Sequence, residues 1–139
     1  MPKFFTEHLR RATAVLSLST HMGQSAWAPN TDVYETPQHL IIKMELAGIR
    51  KEDIEITLQD RLLTVRGYRK DTCPHRQTRC SFHQMEIDYG YFERRILVPV
   101  PVDAASAQAN FYNGFLLIEL AKTARPVPSA VAVVIEQIS

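Results

Sequence analysis

The chain has 139 residues, of which 45% are hydrophobic, and its formal net charge is +1. This length suits a single domain of roughly 100 residues with short extensions, and no apolar run approaches the roughly 18 residues that a membrane-spanning helix needs. The balanced charge argues against nucleic acid or an anionic membrane as the main partner.

Residues 1–29 are predicted to form an amphipathic arm followed by a linker. Phe5, Leu9 and Leu16 recur at helical spacing and share one face, while the charged side chains lie off that face. Two interpretations stay open: a helix packed on its own domain, or an arm that contacts other subunits and partner proteins.

An export signal is disfavoured in this region. The apolar stretch Ala12–Leu18 is short and interrupted by Thr13 and Ser17, and Glu7 lies where a signal peptide would be basic. The prediction is therefore a cytoplasmic protein.

From Asp32 onward the pattern changes to short strands without helical segments between them. Seven strand signals are found: Asp32–Glu35, His39–Leu46, Ile54–Leu58, Leu62–Tyr68, Tyr91–Val98, Ala107–Tyr112 and Phe115–Ala121. Most alternate with period two; Leu40 and Ile42, for example, are predicted to face inward and Ile41 outward. The fold class that this predicts is all-β, an antiparallel immunoglobulin-like β-sandwich.

Asn113-Gly114 is a strong signal for a two-residue hairpin turn, because both residues tolerate positive φ. The strand after it, Phe115–Ala121, is apolar on one face and only partly polar on the other. Such a strand is either central in the sandwich or carries an outer face on which something docks.

Residues 69–82 are rich in charge and poor in apolar side chains, which predicts a long loop or a marginal edge strand. The loop and its end carry Cys73, His75, Cys80 and His83. Three interpretations stay open: incidental loop residues, a redox-responsive thiol pair, or a zinc site whose spacing matches no recognised finger. A disulfide scaffold is not predicted, since the chain has only two cysteines.

The tail, residues 123–139, begins with a spacer that Pro126 and Pro128 stiffen. An apolar run of β-branched residues, Val131–Ile135, follows. Such a run would aggregate if it stayed exposed, so we expect it to be bound to another surface.

Five motifs, each weak alone but specific in this order, resemble the α-crystallin domain of the bacterial and plant small heat-shock proteins over roughly residues 30–122. They are Asp32–Thr36, Glu45–Ile49 with Lys51–Ile54, Leu63–Gly67, Tyr89–Arg94, and Ala109 with Asn113–Leu116. The resemblance implies an ATP-independent chaperone that holds unfolding client proteins and assembles from homodimers into larger oligomers. It implies neither a cofactor nor an enzyme, and the five isolated glycines form no phosphate-binding loop.

The resemblance also implies three sets of site residues. Part of Arg69–Cys80 would pair with the first strand of a partner subunit, so the dimer-exchange residues are Asp32, Val33, Tyr34, Glu35, Arg76, Arg79 and Arg94. The tail motif Val131, Val133 and Ile135, in an undecided register, would enter a neighbour's groove lined by Ile54, Ile56, Leu58, Ala109 and Phe111. The client-binding arm would use Phe4, Phe5, Leu9, Leu16 and Trp27.

Two further function classes were weighed against the holdase. A β-sandwich co-chaperone or adaptor for one partner is the alternative, although an adaptor would not need both an amphipathic arm and an apolar tail. A metal-dependent or redox enzyme would depend only on the cysteine loop. The predicted domain organisation is arm 1–29, sandwich 30–122 and tail 123–139.

Overall fold

Short strands account for most of the protein in the computed structural model, which describes residues 27–72, 75 and 78–138. Within these ranges the strands are β1 Thr31–Glu35, β2 His39–Glu45, β3 Ile54–Gln59, β4 Leu62–Arg69, β5 Gly90–Leu97, β6 Gln108–Tyr112, β7 Phe115–Ala121, β8 Ala130–Val133 and β9 Ile135–Gln137. Two short 3-10 helices, Lys51–Asp53 and Ala104–Ser106, lie in the connections. The predicted helical arm, with Phe4, Phe5, Leu9 and Leu16, lies outside the described residues.

The strands form two sheets that pack face to face, which confirms the predicted sandwich. The first sheet has the order β1-β2-β7-β6-β9 and the second the order β5-β4-β3-β8. Neighbouring strands pair antiparallel, except that β9 runs parallel to β6. The core lies between the sheets, and its largest fully buried side chains are Phe92, Leu40, Ile42, Met44, Leu46, Ile56, Leu58, Leu63, Leu116, Ile118, Leu120 and Val65.

The predicted Asn113-Gly114 turn connects β6 to β7, and its two residues have φ values of 49° and 78°. Both values lie in the left-handed region that a two-residue hairpin requires. The carbonyl of Gly114 also accepts a hydrogen bond of 2.7 Å from the backbone N–H of Leu46. The turn places β7 in the middle of the first sheet, between β2 and β6, so its apolar character reflects a central position.

Ile41 was expected to face outward, yet its side chain is buried. The alternation itself is correct, because Leu40 and Ile42 point into the core. Ile41 lies opposite Tyr34 on β1 and Glu119 on β7, so larger side chains flank it on the outer face. A central strand therefore buries apolar side chains on both faces.

Candidate functional site

An apolar groove lies along the side of the sandwich where β3 of one sheet approaches β6 of the other. The structure brings together the five residues that were predicted to line it, and all five are buried: Ile54, Ile56, Leu58, Ala109 and Phe111. Their period-two spacing on β3 and β6 points each of them to the inner face of its strand.

The tail of the same chain lies along this groove. Val131 and Val133 on β8 are opposite Leu58 and Ile56 on β3, and Ile135 on β9 is opposite Ala109 on β6. The two valines pack against the core from one sheet, and Ile135 is buried from the other. The resemblance implied a neighbour's groove, whereas this tail occupies its own.

Hydrogen bonds hold the tail at both ends. The carbonyl of Ser129, just before β8, accepts a bond of 2.8 Å from the backbone N–H of Asp60. After β9, the carbonyl of Phe111 accepts bonds from the backbone N–H of Ile138 at 3.0 Å and from Nε2 of Gln137 at 3.1 Å. Between the two strands Val134 is 81% exposed, so the tail crosses from one sheet to the other there.

The tail does not fill the space beneath it. A cavity of about 350 Å³ separates β8 and β9 from the segment around Ala105, Ala107 and Ala109. A second cavity of about 440 Å³ lies under the spacer, between Asp103 and Val127. Both cavities open to solvent.

A second candidate surface is the outer edge of β1. Within the described ranges β1 pairs with β2 alone, so the backbone groups on its other side have no strand partner. Val33 and Tyr34 are exposed along it, and Glu35 forms a 2.7 Å ion pair with Lys122. An edge strand of this kind is a template for pairing with another chain.

An apolar segment that the sequence analysis missed, Phe82–Ile87, lies in the connection between β4 and β5. We call it the exposed segment, because Phe82, Met85 and Ile87 are 64%, 73% and 67% exposed. No strand is assigned to it. Met85, Ile87 and Tyr89 alternate with acidic residues, and this period-two signal was available in the sequence.

The described part of the basic loop and its neighbourhood is solvent-facing. Arg79 and Cys80 are exposed, while Arg76 and Cys73 lie outside the described residues. Arg94 is half-buried opposite Val65, on the core side of β5, and forms no ion pair or hydrogen bond within the described ranges. The exchange role of these arginines stays a prediction.

Trp27 is a core residue and not part of an exposed arm, which corrects the sequence-based expectation. It is 5% exposed, its ring centroid lies 5.2 Å from that of Phe92, and its Nε1–H donates to the carbonyl of Gly90 at 3.2 Å. A backbone bond of 3.3 Å from Glu93 N–H to the Trp27 carbonyl completes the attachment. The large apolar ring is buried and its Nε1–H is hydrogen-bonded within the domain. The sandwich therefore includes Trp27.

Arg69 lies over Trp27 at the end of β4. Its guanidinium carbon is 4.2 Å from the Trp27 ring centroid and 5.8 Å from that of Tyr89. Partial burial lowers the pKa of Arg69 from its ordinary value, and the nearby Asp88, Tyr89 and Glu45 oppose that shift. The guanidinium is thus a cation held between aromatic rings at the base of the loop.

The structure describes His75, Cys80 and His83 of the cysteine–histidine group, while Cys73 lies outside the described residues. Cys80 Sγ lies 3.7 Å from the carbonyl of His75 and 3.4 Å from that of Thr78. Among the described residues no three histidine, cysteine or acidic side chains form a metal-binding cluster. The zinc and redox interpretations stay predictions.

The comparisons with known proteins agree with this geometry. The model of the Hsp20/alpha crystallin family matches residues 32–136, a span that includes both the groove and the tail strands. Small heat shock protein C2 of Rickettsia felis is 32% identical over 94 residues, which cover 68% of this chain and 60% of that protein. The match therefore leaves more than a third of that relative's length unmatched.

Solved structures that are similar at more than 25% identity include the following two. Heat shock protein 16.0 from Schizosaccharomyces pombe superposes with a TM-score of 0.65 at 30% identity, covering 71% of this chain and 76% of that one. A small heat-shock protein from Xylella fastidiosa, described as having a distinct high order structure, gives a TM-score of 0.62 at 31% identity, covering 74% and 93%.

Proposed function

Since the chain belongs to the Hsp20/alpha crystallin family, we propose that it is an ATP-independent holdase that binds unfolding proteins and prevents their aggregation. Small heat-shock proteins are chaperones and not enzymes. Among the described residues no helix is long and apolar enough to cross a membrane. A cytoplasmic location is part of the proposal.

The observation that carries the proposal is the apolar groove covered by the tail strand β8. Ile56 and Leu58 are fully buried, and Val131 and Val133 of the tail lie opposite them. When the tail leaves, the edge of β3 and these side chains become available to an extended apolar segment of a client. Main-chain pairing at a sheet edge is tolerant of sequence, which suits a protein that must bind many unfolded chains.

Assembly is proposed to use the same groove in trans. A tail that docks on a second copy makes the contacts that it makes on its own chain. Each apolar side chain contributes about 1.5–3 kcal/mol when fully buried, before ordering costs. Such contacts are individually reversible, yet they add up over many subunits. The high order structure of the Xylella fastidiosa relative supports this assembly.

The dimer is proposed to form when the exposed segment pairs with the free edge of β1 in a second copy. Phe82, Met85 and Ile87 would then leave water and cover Val33 and Tyr34, which are exposed on that edge. The charged loop residues nearby, including Arg79, would face the acidic side chains of β1. The half-buried Arg94 would donate hydrogen bonds to a carboxylate of the second copy.

Light scattering of a heated client, with and without the protein and with no nucleotide, tests the proposal. A holdase lowers the scattering in proportion to its concentration, and does so for several unrelated clients. Activity on one client alone would support the adaptor alternative. If no client is protected at any ratio of protein to client, the holdase proposal is wrong even though the sandwich stands.

A further inference from the structure

The exposed segment rejoins the sandwich at a point that one side chain fixes. Arg69, the last residue of β4, pairs with Gly90, the first residue of β5, so the whole intervening loop starts and ends at this pair. Asp88 follows the exposed segment directly. Its carbonyl accepts two hydrogen bonds from one guanidinium, from Arg69 Nε at 2.8 Å and from Nη2 at 2.5 Å.

The same guanidinium contacts two other parts of the chain. Its face lies on the ring of Trp27, at 4.2 Å from the centroid, and its Nη1–H donates to the carbonyl of Ala47 at 3.2 Å. Trp27 precedes β1 in the chain and forms an isolated bridge with Phe92 of β5. One side chain therefore contacts the end of the exposed segment, Trp27 and the connection after β2.

Only arginine can make this set of contacts. Its planar fork carries several N–H donors in fixed directions, and its flat face stacks on aromatic rings. A lysine would keep the charge but would present a single ammonium group on a flexible stem. Because the Arg69 guanidinium is partly buried, its contacts are also less screened by water than those of a surface ion pair.

We propose that Arg69 is a positioning residue that couples the direction of the exposed segment to the docking of Trp27. The part of this inference that concerns dimers rests on the proposed function, in which the segment pairs with β1 of a second copy. Pairing between copies and docking of Trp27 then stabilise each other, because both need the guanidinium in one position. Coupling of this kind is reciprocal, so loosening the attachment of Trp27 speeds subunit exchange.

The test compares Arg69→Lys with a matched control, Arg66→Lys. Arg66 lies on the same strand, and its side chain is exposed and ion-paired to Glu55 at 3.6 Å. Trp27 is the only tryptophan, so its emission reports its own environment. We expect Arg69→Lys to shift the emission to the red and to speed subunit exchange about tenfold, as loss of one charged hydrogen bond implies. Arg66→Lys should change neither.

Subunit exchange is followed by native mass spectrometry of mixed heavy- and light-isotope chains, and far-UV circular dichroism reports whether each variant folds. A second variant, Trp27→Phe, keeps an apolar ring in the core but loses the bond to Gly90 and weakens the stack on Arg69. It should also speed exchange, although Trp27 is remote in sequence from the exposed segment. A purely local role for Trp27 predicts no change in exchange.

A wild-type exchange rate in either Arg69→Lys or Trp27→Phe would overturn the coupling, and so would an unshifted Trp27 emission in Arg69→Lys. A loss of thermal stability without faster exchange would also overturn it, because that result describes a structural contact alone. Failure of the dimer proposal is recognised separately. If Ile87→Lys stays dimeric with wild-type exchange, the dimer proposal fails. The Trp27 emission of Arg69→Lys then still decides whether Arg69 positions Trp27.

Discussion

At the scale of single residues, the lack of a side chain at Gly67 allows Phe92 and the backbone of Asp53 to pack directly against β4. A Cβ at this position would lie 2.3 Å from the carbonyl oxygen of Asp53 and 2.6 Å from Cζ of Phe92. Both distances are far shorter than a van der Waals contact. The ring of Phe92, which is fully buried and packs on Trp27, therefore occupies the volume that any other residue would need.

Replacing Gly67 with alanine should lower the free energy of unfolding by about 1–3 kcal/mol, because the added Cβ has no free volume beside Asp53 and Phe92. Urea denaturation measures this. Thr64→Ala, on the outer face of the same strand, is the control and should cost less than about 1 kcal/mol. Equal losses in the free energy of unfolding for the two variants would show that β4 can move away from Phe92 with little loss of stability.

At the scale of elements, the tail is a pair of strands and not a loose extension. β8 extends the second sheet and β9 extends the first, so residues 130–137 close the side of the sandwich that the groove would otherwise leave open. The predicted boundary between sandwich and tail at residue 122 stays a prediction. In this structure the tail packs with the domain, as its buried Ile135 shows.

Val133→Lys should release the tail, because it replaces a side chain that packs on the groove with a charged one. Losing about 1.5 kcal/mol of apolar burial corresponds to roughly tenfold faster hydrogen exchange at the backbone amides of β3 that face β8. Large assemblies should shrink toward dimers on gel filtration while the sandwich stays folded.

Val134→Lys is the matched control for the tail variant, since Val134 is adjacent and mostly exposed. It should leave both the exchange pattern and the assembly size as in the wild type. An assembly size that is the same in Val133→Lys, Val134→Lys and wild type would show that tail docking does not hold the oligomer.

The exposed segment gives a second prediction at this scale. Ile87→Lys should weaken dimers by about tenfold or more, because an apolar side chain that the partner covers becomes charged. Leu97→Lys is the control: Leu97 is 68% exposed, much like Ile87, but lies on the outer face of β5. Analytical ultracentrifugation measures both. If the two variants dissociate equally, general surface charge explains the effect and not the segment.

At the scale of the whole molecule, nearly every strand contributes side chains to the core between the two sheets. The tail pairs with both sheets along one side of the sandwich. β3 and β6 belong to different sheets, and the single crossing at Val134 bridges them. A cavity of about 350 Å³ that opens to solvent lies beside this crossing. This arrangement fits the proposal that the groove opens while the rest of the sandwich stays folded.

Deleting residues 130–139 should lower the free energy of unfolding by about 2–4 kcal/mol, from the lost burial less the ordering cost of the tail. A peptide of residues 130–138, added in trans, should restore stability with saturable dependence on its concentration. A scrambled peptide of the same composition is the control. Restoration by both peptides, or by neither, would contradict sequence-specific docking in the groove.

The sequence by itself determined the strands and the faces that they bury, because period-two alternation is a local property of each strand. The predicted inner residues of β3, β4 and β7, such as Ile56, Val65 and Ile118, are all buried. The Asn113-Gly114 turn was equally predictable from the sequence, since positive φ at two successive positions restricts the residue types.

Only the tertiary structure decided which distant segments meet. Burial of Trp27, occupation of the groove by the chain's own tail and the contacts of Arg69 all join residues far apart in sequence. No local pattern encodes such a contact, because it depends on the position of both partners once the sheets have packed. Period-two alternation indicates which face a strand buries. Tertiary packing determines which residues lie against that face.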